Sequence, residues 1–151
     1  MRIPDLNVLL YAVDSDSAHH AVVHRYWEDV ANGEEEIGFA WSVLLGFLRL
    51  STNPAVFPRP LRLDDAMAKI DSWLALPSAR LLTETEDHWS LLRRLLSEAG
   101  TAGNLTTDAQ LAALAMSRGA VLVSCDTDFA RFEDLRWENP LAPARRPRRR
   151  L

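Results

Sequence analysis

The 151-residue chain has one cysteine, Cys125, and one lysine, Lys69. A single thiol excludes an internal disulfide framework and suits a reducing compartment. Long apolar runs are missing too. The stretch "VLLGFL" is core-sized, far short of the ~20 residues that cross a bilayer. The start, "MRIPDLNVLLYAVDSD", lacks the pattern of a secretory signal, because Asp5 interrupts it early and Asp14 and Asp16 follow a short apolar run. Internal repeats are absent. These gaps lead to the expectation of a cytoplasmic protein with no membrane contact.

What is present is a body rich enough in apolar residues, 48%, to bury one good core. Its charge is unevenly spread. The chain carries 17 basic and 21 acidic residues, net −4, but five arginines sit in the last ten residues, "APARRPRRRL"; without them the balance is −9. An acidic body lacks the basic footprint of an ordinary nucleic-acid binder. The division expected is a folded domain over 1–141 and an Arg-rich tail, 142–151, that is either solvated and disordered or a contact for phosphates.

Short β-like runs alternate with longer helical ones. Residues 1–4, "IGFA", "ARLLT", "AVLVS" and a short edge run "LRWEN" read as strands. "LNVLLYAV" reads as a short helix capped by Asp5, and a second helix begins at Ser17 with Val22, Val23, Tyr26, Trp27 and Val30 on one face. "WSVLLGFLRLST" is an apolar helix closed by Asn53-Pro54. Asp64 is placed to cap a helix that turns Ala66, Met67, Ile70, Trp73 and Leu74 inward. "EDHWSLLRRLLSEAG" is amphipathic, and "LTTDAQLAALAMSRG" is apolar nearly all round, the mark of a buried helix. Such alternation predicts an α/β fold of three layers, α/β/α, around a mostly parallel sheet of four to five strands.

In such a sheet, function gathers at the carboxyl ends of the strands. Asp5 follows the first predicted strand, Asp126 and Asp128 follow the fourth, and Asp108 lies in the first turn of the helix before it. Singly, each acid suits a cap or turn. If strands one and four are neighbours, the four converge. Their mutual repulsion is then relieved by a hard divalent cation or by proton uptake. Carboxylate sites holding magnesium support chemistry on phosphate esters.

Three motifs, "PDLNVLLYA", "GNLTTDAQLAALA" and "SCDTDFARFEDLRWENPL", resemble in order and spacing those of PIN-domain ribonucleases, more narrowly the VapC-type toxins of type II toxin–antitoxin pairs. The resemblance runs over residues 1–141. It implies a PIN-like fold, Mg²⁺- or Mn²⁺-dependent endonuclease cleavage of RNA such as tRNA or rRNA, a homodimer, and silencing by a VapB-type antitoxin. It also implies that Asp5, Asp108 and Asp126 hold the metal with Asp128 assisting catalysis, and that Asn7, Thr107 and Ser124 support them. One departure stands out. The family usually adds a glutamate from the helix after the second strand, whereas no acid occurs from Ile37 to Leu63; the position falls at Leu44, or at Gly46 if the alignment shifts.

Two rivals follow from the residues. A binding module that holds antitoxin or RNA without cutting is favoured by the missing glutamate. An aspartate-based phosphatase is disfavoured because Lys69 lies far in sequence from the acids. His20 and His24 have the i, i+4 spacing of a zinc pair but lack a third ligand nearby, so with His19 they read as a solvated helix edge. Cys125 reads as a small buried residue rather than a nucleophile.

Overall fold

The computed structural model describes residues 1–142, so the arginines of the tail lie outside the described residues. Among the described residues, five strands and six α-helices follow one another as β1 (Arg2–Pro4), α1 (Leu6–Val13), α2 (His20–Ala31), β2 (Ile37–Ala40), α3 (Trp41–Ser51), α4 (Leu63–Leu74), β3 (Ala79–Leu82), α5 (His88–Ala99), α6 (Thr106–Met116), β4 (Val121–Val123) and β5 (Trp137–Glu138). Every element expected from the sequence is present. No helix among the described residues is long and apolar enough to cross a membrane.

All four strand pairings are parallel, in the order β3-β2-β1-β4-β5. β1 lies at the centre, in register with β4 through Arg2↔Val121, Ile3↔Leu122 and Pro4↔Val123. Pro4 has no N–H to give the ladder, and it sits where it does least harm, at the strand's last position. The next residue resumes the pairing, with the Asp5 N–H donating to the Val123 carbonyl at 2.8 Å. Successive strands step one way from β1 to β3, and then the chain returns to β4 on the other side of β1. Right-handed crossovers therefore put α1–α4 on one face and α5–α6 on the other. The strand order reverses between β1 and β4. A crevice at that switch point is where open α/β sheets bind ligands.

The core is built from the buried faces of these elements. All four residues of β2 are buried, as a doubly covered parallel strand requires. Trp73 of α4 meets Phe47 of α3 edge-on at 4.8 Å between ring centres and Trp27 of α2 at 6.0 Å, and stacks on Phe39 of β2 at 6.4 Å. α6 buries six of its eleven residues, as its nearly uniform apolar sequence predicts.

Several local expectations are corrected. Val22, Met67 and Leu74 point outward, because the buried stripes of α2 and α4 are narrower than the sequence pattern and centre on Val23 and Trp27 and on Ala66 and Trp73. α4 begins one residue before Asp64, with Arg62 at its cap position, so Asp64 and Asp65 act on the helix dipole rather than as caps. Thr106 is the first residue of α6 and neither it nor Thr107 caps the helix, whose cap position is Leu105. Ser17 forms a turn ahead of α2, accepting from the His19 N–H at 3.1 Å.

The four-ring cluster is the mechanical centre of the α1–α4 side. Trp73→Ala should lower unfolding free energy by about 3–5 kcal/mol, read from urea denaturation. Met67→Ala on the outer face of the same helix should change it little.

Candidate active site

β1 and β4 end side by side, and the side chains just past them form a hydrogen-bonded knot. Asp5 caps α1: its Oδ1 accepts from the Leu6 N–H at 2.7 Å. Its Oδ2 accepts from the Ser124 hydroxyl at 2.7 Å and from Asn7 Nδ2 at 3.1 Å. Asn7 also donates to Ser124 Oγ at 3.1 Å, and its Oδ1 accepts from the Cys125 N–H at 3.1 Å. Ser124, fully buried, accepts from the Asp126 N–H at 3.0 Å. So Asn7 and Ser124 bond across the sheet as well as locally. Thr107, the third polar neighbour expected from the resemblance, is exposed and makes no side-chain hydrogen bond among the described residues.

Beyond the knot lie the other acids. Asp126 caps a 3₁₀ turn, Thr127–Arg131, its Oδ1 accepting from the Asp128 N–H at 2.8 Å. Asp108 comes from the first turn of α6, where the helix dipole favours a carboxylate. Asp108, Asp126 and Asp128 each offer a carboxylate oxygen within 4.8 Å of the others. Oxygens at about 2.1 Å from one octahedral ion lie no more than about 4.2 Å apart, so small side-chain rotations bring these three around a shared cation. Asp5 stands outside this trio because the knot holds its oxygens. A cleft of about 300 Å³ opens beside Asp108 and Asp128, lined also by Thr101, Asn104 and Arg131.

The electrostatics carry the cost of this crowding. Burial, then the charges of Asp5, Asp126 and Asp128, push Asp108 up to about 6. Burial likewise raises Asp5, against the lowering effect of its hydrogen bonds from Ser124 and Leu6. Cys125 is pushed up to about 11 by burial and by Asp5, which makes its thiolate scarce at neutral pH.

The helix expected to bring a glutamate brings none. Leu44 is wholly buried in the core, and a Cβ on Gly46 would meet the Leu6 side chain at 3.0 Å. Leu6 therefore fills the space that a side chain at position 46 would need. Lys69 is exposed on α4 and does not line the acidic cleft. His20 and His24 are more than a solvated edge. Their Nδ1 atoms donate to the carbonyls of Tyr11 at 2.9 Å and Ala12 at 3.0 Å, closing the last turn of α1.

Two contributors escaped sequence reasoning. Trp137 of β5 donates its indole N–H to the Ser124 carbonyl at 3.0 Å, bracing the β4 end from the far side. Arg131 enters the cleft as its one cation among the described residues. Only the strand order reveals either.

A carboxyl whose folded pKa exceeds its unfolded value destabilises the fold as pH rises from the unfolded value through the folded one. For Asp108 that window runs from 3.8 to about 6. The metal-free Asp108→Asn protein should therefore be more stable than the parent at pH 7.5, by about 1 kcal/mol after allowance for partial exposure, or some 2–4 °C. At pH 4 the gain should vanish, and Mn²⁺ should stabilise the parent but not the variant in thermal melts.

Comparison with known proteins bears on the family and the fold. The PIN domain family matches residues 2–135. Ribonuclease VapC37 of Mycobacterium tuberculosis is 47% identical over 142 residues, covering 94% of this chain and 99% of that protein. Ribonuclease VapC33 of the same organism is 45% identical, covering 93% and 99%. Among solved structures, VapBC2 from Rickettsia felis bound to a promoter DNA fragment superposes with a TM-score of 0.66 at 20% identity, over 91% of this chain and 97% of that one. VapBC-1 from nontypeable Haemophilus influenzae gives 0.64 at 14% identity, over 92% and 97%. With sequence and fold matched along nearly its whole length, the chain belongs to the PIN-domain family, in its VapC branch.

Proposed function

We propose that this chain is a metal-dependent endoribonuclease toxin of the cytoplasm, cutting RNA phosphodiesters and silenced by a VapB-type antitoxin. The observation that carries the reading is the convergence of Asp108, Asp126 and Asp128 within 4.8 Å at the switch point of the sheet, with Asp5 beside them. Its support from relatives is that those of similar sequence are named ribonucleases and those of similar fold are VapBC assemblies. The RNA class, tRNA or rRNA, and the homodimer come from the family resemblance and belong to the same proposal.

The donor set suits Mg²⁺ or Mn²⁺, being all oxygen and all anionic. When bound, such an ion supplies polarisation of a phosphate oxygen and a lowered pKa for water. The chain's own residues do the positioning. Asp126 and Asp128 are held two residues apart by the 3₁₀ turn, and Asp108 is aimed at them from α6. Asp5 adds negative charge from the β1 side while Ser124 and Asn7 fix its carboxylate plane. Burial and the neighbouring carboxylates push Asp108 up to about 6, so a bound cation would favour its charged form.

A second reading keeps the partner and drops the chemistry. It is favoured by one feature, the apolar filling of the position where the family places a glutamate. In it the chain binds antitoxin or RNA without cutting.

Incubation of total cellular RNA with the purified chain separates the two. In Mg²⁺ or Mn²⁺ discrete fragments should appear on a denaturing gel, and EDTA should abolish them. Asp5→Asn and Asp108→Asn should each reduce the rate by about 100-fold or more while retaining the fold by circular dichroism. Cleavage that persists in EDTA or in Asp108→Asn would contradict the assignment, and metal-independent binding with no cleavage would favour the binding module.

A further inference from the structure

Arg131 stands out among the arginines that flank β4 in the chain. Others are spent on the protein itself: Arg118 donates to the Thr83 carbonyl, and Arg136 donates to the Gly119 carbonyl at 2.9 Å. Arg131 makes one ionic contact among the described residues, at 3.9 Å between Nη2 and Asp128 Oδ1, and its side chain is half exposed. That contact is too long for a hydrogen bond, so the planar fork of five donors is unspent. The side chain lines the cleft that Asp108 and Asp128 also line, and no other basic residue among the described residues does so. It ends the turn that Asp126 begins, so the backbone that places two of the acids also places the guanidinium.

The need for such a group follows from charge. An RNA backbone must approach four aspartates on a body whose net charge is −9 without the tail arginines. Screening limits distant help to about 8 Å at physiological salt, so a cation counts most at the cleft itself. A guanidinium stays charged at any working pH and matches phosphate oxygens two at a time.

We propose that Arg131 is the phosphate-contacting residue of the nuclease reaction, gripping the non-bridging oxygens of an RNA phosphate seated between Asp108 and Asp128 in this cleft. The assignment rests on the nuclease reading above. Arg131 exchanges no proton and forms no covalent bond; it holds the substrate's charge and orientation.

The test compares the parent chain with Arg131→Ala and Arg131→Lys. Cleavage rate on total RNA with Mn²⁺ is followed beside binding of a labelled mixed-sequence RNA oligonucleotide between about 50 and 200 mM salt. Arg131→Ala should lose about 10- to 100-fold in cleavage rate, and its log–log salt slope should shrink by about 0.7, one phosphate contact on a single strand. Arg131→Lys should keep the parent's slope yet recover only part of the rate, because a point charge lacks the fork. Thermal midpoint and Mn²⁺ affinity should stay within error of the parent in both variants. Cleavage by Arg131→Ala within twofold of the parent, with an unchanged slope, would overturn the assignment and leave the nuclease reading standing. Lost activity accompanied by lost Mn²⁺ affinity or a lowered midpoint would overturn it in favour of a purely structural role. A parent chain that cuts no RNA would overturn the nuclease reading itself, and this assignment with it.

Discussion

Parallel pairing of β1 with β4 joins segments more than a hundred residues apart in sequence, and the candidate site depends on that register. Three paired positions and the bond from the Asp5 N–H to the Val123 carbonyl set the two strand ends level. Asp5 then faces Ser124, and the 3₁₀ turn after β4 carries Asp126 and Asp128 into the same corner. A slip of one residue would invert every side chain along β1. It would place Pro4 or Leu6 where Asp5 now accepts three hydrogen bonds. The core protects this register. Ile3 and Leu122 are each wholly buried, so neither strand can shift without exposing a large side chain.

The same geometry forces like charges together. Ordinary folding would place such acids apart, since each added neighbour raises the cost of ionising the next. Here Asp108 has its pKa raised to about 6 by burial and by three other aspartates, with Arg131 in the same cleft acting the other way. Local hydrogen bonds stabilise Asp5, but Asp108 has no comparable partner among the described residues. Under the proposed metal-dependent reading, stability given up at the crowded corner would be regained when a cation binds. Rigidity comes from behind, where the Trp137 indole holds the Ser124 carbonyl and the Asn7 amide holds the loop at Cys125.

Much of this was legible in the sequence. Short apolar runs and helical periodicity located every strand and helix, because most of these elements turn at least one apolar face to a large core. The four aspartates could be singled out because each follows a predicted strand or opens a helix. Their convergence depended on the neighbours of β1, which the chain order alone left open. Other features stayed hidden for tertiary reasons. Met67 and Leu74 carry core-like side chains at core-like spacing, yet nothing packs over them. His20 and His24 suggested a ligand pair or a solvated edge, whereas their partners are main-chain carbonyls of another helix. Arg131 carries no motif of its own in the sequence, and only the turn after β4 brings it into the cleft.

Calorimetric titration of the metal-free chain with Mn²⁺, in two buffers of different ionisation enthalpy, tests most directly whether the crowded aspartates form a cation site. A carboxyl titrating at about 6 must lose its proton when the ion binds. Binding at pH 6 should therefore release about half a proton per ion, falling to nearly none at pH 8, and Asp126→Asn should weaken it by at least tenfold. Absence of Mn²⁺ binding, or binding with no proton release at pH 6, would contradict the account.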